Sequence, residues 1–129
     1  MTAEAAKKLL DNGIAIIPLL PNMKHNYDTD ILTKDYSVRD LIPNGNLGIN
    51  LKKSHWYDID LDSDYAIYFG SLWLPHNTRI LGRRYPDGRE ELTHFFFKSD
   101  GSVIKNTNDN SEADFFVDHN VVVHGKTPH

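Results

Sequence analysis

Apolar positions along the chain come in short bursts, and the spacing within each burst predicts the element it forms. Ala3 to Leu10 puts Ala6, Leu9 and Leu10 on one helical face, and Asn12-Gly13 supplies a stop, since glycine accepts the left-handed conformation that closes a helix. Ile14-Ala-Ile-Ile17 is a continuous apolar run that reads as a buried strand ending at Pro18. Pro21 to Thr33 is polar and irregular, which predicts a surface loop. Ser37, with Asp40 at the capping-box position, opens a short helix through Leu41 that stops before Pro43. Asn44-Gly45 is a turn, and Leu47 to Leu51 a short strand.

His55 to Leu61 reads as a further strand and Ser63 to Trp73 as a helix. Thr78 to Arg83 and Glu91 to Phe97 form two strands joined through Pro86-Asp-Gly-Arg89, where Asp-Gly tolerates the positive φ of a tight hairpin. Asp100-Gly101 and Asn106 to Ser111 are loops, and Asp114 to Val117 with Asn120 to His124 make a final pair of strands. The expected class is α+β with segregated hairpins, not an alternating βαβ chain. Neither an internal repeat nor a low-complexity tract interrupts it, and 129 residues suit one domain, 1–129. The sequence stops at Thr127-Pro128-His129 without a closing element, which predicts a C-terminally truncated or minimal version of a domain.

Composition narrows the class. An apolar share of 40%, with 11% aromatic, is too high for a disordered chain. With no cysteine, neither a disulfide framework nor a thiolate zinc site is available, which fits a reducing cytoplasm. The longest apolar run, Ile14 to Leu20, is broken by Pro18 and is too short for a bilayer. Glu4, Lys7 and Lys8 occupy the place of a signal peptide's apolar region, so a soluble, cytoplasmic protein without a membrane partner is expected. The net charge of −4 counts against nucleic-acid binding, yet acid and base are segregated. Asp58, Asp60, Asp62 and Asp64 lie close together, whereas Arg79, Arg83, Arg84, Arg89 and Lys98 outnumber the acids around them.

Trp56-Tyr-Asp-Ile-Asp-Leu-Asp-Ser-Asp64 carries the most chemistry. Residues two apart in a strand share a face, so Asp58 and Asp60 point together while Tyr57, Ile59 and Leu61 take the other, buried face. Two neighbouring carboxylates repel when both are ionised, and Mg²⁺ or Mn²⁺ is the natural compensator, a hard ion that favours oxygen. The plain alternative is a solvated strand edge. Asp62 and Asp64 read as caps of the following helix. A calcium loop is excluded, because Ser63 and Phe69 stand where its glycine and glutamate belong.

Of seven histidines, His25, His55, His76 and His119 read as structural or surface residues, and no helical His pair exists. His94 opens an aromatic strand across the hairpin from Gly82-Arg83-Arg84, whose guanidinium groups suit phosphate oxygens. The alternative there is an ordinary arginine-rich hairpin surface. Asp114 enters an apolar strand, where a carboxylate must be exposed, paired or a ligand.

In order and spacing, these segments resemble the Prim-Pol (bifunctional primase-polymerase) domain of the archaeo-eukaryotic primase superfamily over nearly the whole chain. Gly13-Ile-Ala-Ile-Ile-Pro18 with Pro21-x-x-Lys24 is similar to the family's opening strand and turn, and Asn46-Leu-Gly-Ile49 to the strand before its first motif. Asp58-Ile-Asp60 resembles the acid-x-acid motif, Thr93-His94 the phosphate-binding histidine motif, and Ala113-Asp114 the third, acidic motif. Leu92 and Thr93 depart from the serine found at either place before that histidine, and Gly125-Lys126-Thr127 from a Pro- and Ser-containing stretch.

The resemblance implies an archaeo-eukaryotic primase-like fold, an RRM-like catalytic sheet with a small N-terminal α/β unit. It implies template-dependent nucleotidyl transfer in phage- or plasmid-type replication, in the host cytoplasm if phage-encoded. Asp58, Asp60 and Asp114 would bind Mg²⁺ or Mn²⁺ and, with His94, form the catalytic set. Arg83, Arg84, Thr93 and His94 would contact the nucleotide. Nucleoside triphosphates and template DNA would be the partners, with a replicative helicase as a further candidate. Two other readings stay open: a catalytically inactive nucleotide- or DNA-binding remnant within a replication assembly, and a metal-dependent nuclease using the same acids.

Overall fold

The computed structural model describes residues 2–98, 113–116 and 120–124; the predicted loops at Asp100-Gly101 and Asn106 to Ser111, and the Gly125-Lys126-Thr127 stretch, lie outside them. Helical spacing of small and apolar groups near the N-terminus produces α1 (Thr2–Asp11), which buries Ala6 and Leu9. Gly13 ends it at φ 75°, and the Ile14 N–H donates back to the Leu9 carbonyl (3.0 Å), closing the helix as expected from Asn12-Gly13. The chain then forms β1 (Ile16–Leu19), β2 (Asn46–Asn50), α2 (Leu51–Ser54), β3 (Trp56–Leu61), α3 (Asp64–Trp73), β4 (Ile80–Arg84), β5 (Glu90–Lys98), β6 (Ala113–Phe116) and β7 (Asn120–His124). The result is an α+β fold with two antiparallel sheets.

Two compact units divide the chain, Met1–Ser54 with Asp118–His129, and His55–Val117. In the first, the sheet order is β1-β2-β7, with Ile16 opposite Ile49 and Ile49 opposite Val121. Both β1 and β2 are buried along their whole length, which explains the unbroken apolar character of β1, while β2 buries Asn46 and Asn50 at its two ends. The expected strand end at Pro18 is not an end: β1 runs on to Leu19, with Pro18 opposite Leu47. Proline is tolerated because β1 is an edge strand, where a missing N–H costs no ladder bond.

The polar segment between β1 and β2 is a loop, as its composition indicates, and buried amides of the sheet hold it. Asn46 Nδ2 donates to the Met23 carbonyl (3.0 Å) and Asn50 Nδ2 to the Leu32 carbonyl (2.9 Å). Asn26 Nδ2 reaches back to the Pro18 carbonyl (2.8 Å), and the Tyr36 hydroxyl donates to Asp28 (2.7 Å). Burial pushes the Tyr36 phenol up to about 12, with the Asn26 amide opposing and Asp28 adding to the rise. The helix expected after Ser37 is only a single 3-10 turn, Val38–Asp40, because Leu41 is already extended two residues ahead of Pro43. Asp40 still accepts from the Ser37 N–H (2.7 Å), the contact its spacing predicts.

In the second unit the order is β4-β5-β3-β6, every neighbour antiparallel, so β3 and β4 run the same way with β5 between them. The segment β3–α3–β4 is therefore a split β-α-β crossover set into an antiparallel sheet. Ser63, not Asp62 or Asp64, is the N-cap of α3: its hydroxyl accepts from the Ala66 N–H (3.0 Å), and Asp64 is the first helical residue. The serine wins because its oxygen sits at the position from which the third N–H is reached. The hairpin tip forms at Gly88 (φ 87°), as Asp87-Gly88 predicts.

The expected final strand pair is split between the units. Phe115 of β6 pairs with Ile59, whereas Val121 of β7 pairs with Ile49. Short apolar strands pair with whichever edge lies open, and here β3 and β2 each offer one. Among the described residues, no helix is long and apolar enough to cross a membrane.

Asn50 ties the loop to the core from a position with almost no exposed surface. Replacing it with alanine removes the bond to Leu32 and the bond its Oδ1 accepts from the Lys53 N–H. In urea unfolding, Asn50→Ala should lose about 2 kcal/mol, whereas the exposed Lys52→Ala should stay within about 0.5 kcal/mol of the parent protein.

Candidate functional site

Strand alternation on β3 brings the acid pair to one face, and cross-strand register brings it a histidine. Asp60 stands opposite His94 on β5 and opposite Asp114 on β6, and Asp58 stands opposite Phe96 and Phe116. His94 Nδ1–H donates to Asp58 Oδ2 at 2.9 Å and lies 3.6 Å from Asp60 Oδ1. The two carboxylates thus flank a single imidazole nitrogen. Asp58 has no exposed surface, while Asp60 and His94 keep about a quarter of theirs.

Electrostatics follows from that geometry. Burial disfavours a charged His94 ring. The hydrogen bond that His94 donates to Asp58 and the negative charges of Asp58 and Asp60 outweigh burial, with Arg83 opposing, so the His94 pKa lies above the usual histidine value. An imidazolium here neutralises a carboxylate that would otherwise be a buried, uncompensated charge, a costly arrangement.

Aromatic residues define the rest of this face. The His94 ring stacks on Phe96 (centroids 6.2 Å apart, 15° between planes), and Trp56 leans on Phe96 at 5.7 Å. Sequence reasoning missed Trp56 and Phe96 as residues that position the histidine. The available signal was their two-residue spacing from Asp58 and His94.

The remaining predicted site residues fall into three groups. Arg83, two residues beyond Leu81, returns to the side of His94, consistent with its electrostatic effect on that ring. Arg84 lies in an exposed ion pair with Glu90 (2.8 Å) near the hairpin tip. Thr93 is buried to 5% exposure, where the register between β4 and β5 slips: Leu81 is opposite His94 but Gly82 is opposite Leu92. That slip leaves one extra residue on β5, a bulge of the kind that re-aims neighbouring side chains. Gly82 suits it, since a Cβ there would collide with the Glu91 carbonyl oxygen. For Asp114 the backbone register alone is described.

His76 takes the structural role expected of it, with Nε2–H donating to the Ser71 carbonyl (2.7 Å) and its ring edge-on to Phe95. As a cation site, Asp58 and Asp60 offer hard oxygen donors on one face with an imidazole between them, a donor set compatible with a divalent metal. Among the described residues, no group of three or more His, Cys, Asp or Glu is arranged to hold a metal ion. Compared with protein-family models, curated proteins and solved structures, the chain matches none.

The ring protons of His94 should titrate in NMR above the ordinary value of about 6.5, and Asp58→Asn should lower that midpoint. Because the folded-state value is the higher one, the stability supplied by this pair is fully present below the unfolded histidine's pKa. It is lost as pH rises through the raised value. Denaturant midpoints should fall over that window in the parent protein and change less in Asp58→Asn.

Proposed function

We propose that this chain is a primase-polymerase catalytic domain that joins nucleotides on a template, as phage- and plasmid-type replication requires. The observation that carries the reading is the convergence of Asp58 and Asp60, both on β3, on His94 Nδ1 of the neighbouring strand β5. The strand order β4-β5-β3-β6 with its split β-α-β crossover supports an RRM-like sheet of the archaeo-eukaryotic primase kind. The register of Asp114 opposite Asp60 supports a third acid beside the pair.

In the proposed reaction, the 3′-hydroxyl of a primer or initiating nucleotide attacks the α-phosphorus of a nucleoside triphosphate, and pyrophosphate leaves. Asp58, Asp60 and Asp114 would hold Mg²⁺ or Mn²⁺, which when bound supplies neutralising charge at the phosphates. His94, whose pKa the acids beside it raise, donates hydrogen bonds to triphosphate oxygens. Arg83 adds a guanidinium on the same side. Phe96 and Trp56 hold the imidazole plane, so little reorientation is needed when substrate arrives. Arg84 and Thr93 act more remotely, one through its ion pair with Glu90 and the other by fixing the bulge. Template DNA would be gripped mainly through its backbone, in a cytoplasmic setting and with a replicative helicase as candidate partner.

A second reading is favoured by one feature: Asp58 and His94 already satisfy each other at 2.9 Å. A catalytically inactive remnant that binds nucleotide or DNA would retain that pair without turning anything over.

Extension of a labelled primer on a DNA template, with Mg²⁺ or Mn²⁺ supplied, decides between them. The parent protein should extend the strand, and Asp58→Ala and Asp60→Ala should each lose at least roughly 100-fold while keeping their circular dichroism. Nucleotide binding without extension points to the remnant, and shortening of the strand to a nuclease. Extension that survives both substitutions removes the acid pair from the mechanism.

A further inference from the structure

Helix α3 presents two apolar sides, and its sheet can cover only one. Towards the sheet it brings Gly70, so close to β3 that a Cβ there would meet the Leu61 side chain. The opposite side carries Tyr65, Tyr68, Phe69, Leu72 and Trp73, at the i, i+3, i+4, i+7, i+8 spacing of a continuous helical stripe. All five are exposed, Trp73 to 81% and Tyr65 to 69%. Isolated exposed apolar residues are ordinary, but a contiguous aromatic stripe marks an interaction surface.

We propose that this stripe is a docking surface for a second copy of the same chain, with the two α3 helices packed antiparallel about a twofold axis near Phe69. Three observations choose that occupant. The first is chemistry: from Tyr65 to Trp73 the helix carries no charged residue. Nothing on the stripe could neutralise phosphate, and its flank carries Asp64, Glu90 and Glu91 against Arg89 alone, an acidic edge that suits neither a nucleic acid nor an anionic lipid surface. An identical apolar stripe is a matching surface.

The second is register. With the axis at Phe69, Trp73 at the C-terminal end of one helix lies opposite Tyr65 at the N-terminal end of the other, an aromatic pairing that the twofold axis uses twice. An open cavity of about 450 Å³, bounded by Asp64, Tyr68 and Leu72 of the helix and by Arg89 and Leu92 of the hairpin, lies along the other flank of the stripe.

The third is area. With about 200 Å² for each fully exposed aromatic side chain, the stripe offers roughly 600 Å² per copy. Stable interfaces bury about 800 Å² per partner, and the cavity rim supplies polar surface for the remainder.

Light scattering across a concentration series, with the emission of Trp73 followed in a Trp56→Phe background, tests this. The parent protein should reach twice the monomer mass, with Trp73 emission shifting to shorter wavelength as dimer forms. Leu72→Glu and Trp73→Ser, exposed positions whose folding can be checked by circular dichroism, should return the mass to monomer, a twofold drop. The chain has no cysteine, so Phe69→Cys should oxidise to a covalent dimer, whereas Glu4→Cys should not. A parent protein that stays monomeric at every attainable concentration overturns the proposal, whether Trp73 is then exposed to another partner or covered by its own chain. A dimer indifferent to Leu72→Glu overturns it equally.

Discussion

A carboxylate with no contact with solvent, Asp58, is joined to the His94 ring by one hydrogen bond, and the sheet of the second unit is organised around that bond. Burying an ionised carboxylate is unfavourable by several kcal/mol unless charge and hydrogen bonds compensate. The compensation requires β3 and β5 to pair in a single register, since a slip of one residue would turn His94 to the opposite face. The acid pair therefore ties strand pairing to site chemistry: the same contact that makes β3 tolerable in the interior raises the His94 pKa. Arg83 works against that charge, and the balance leaves a site with closely opposed acid and base rather than a uniformly acidic patch.

Local signals in the sequence were sufficient for most elements and for half of the site. The alternation of Tyr57, Asp58, Ile59 and Asp60 is a property of one strand, so the shared direction of the two acids could be read directly. The same holds for the Asp87-Gly88 turn and the stop at Gly13, where backbone preference alone decides. The partner of Asp58 is another matter: His94 lies 36 residues away, and only β-pairing with a defined register brings it within 2.9 Å. Before folding, nothing in the residues around His94 distinguishes it from the other six histidines by hydrogen bonding. Its aromatic setting, not its partner, drew attention to it.

The errors share a cause, which is that they depended on neighbours in space. Pro18 reads as a strand end on its own terms, and becomes acceptable only because β1 lies at a sheet edge. Asp62, Ser63 and Asp64 are all credible caps, and the backbone path chose the serine. The runs around Phe115 and Val121 look like partners because they are adjacent in sequence, yet the open edges of two different sheets claim them. For α3, an apolar pattern on both sides conceals which side is inner, and Gly70 settles it through close approach to Leu61.

The division of β6 and β7 between sheets has a kinetic implication. The second unit is inserted in the sequence of the first, so β2 acquires its last neighbour only after residues 55–117 have been made. Until then Leu47, Gly48 and Ile49 present unpaired backbone groups along the apolar middle of β2, the kind of edge that recruits foreign strands. During synthesis, the half-built first sheet is the interval of greatest aggregation risk, and rapid collapse of the inserted unit shortens it by bringing the two ends of the insertion together.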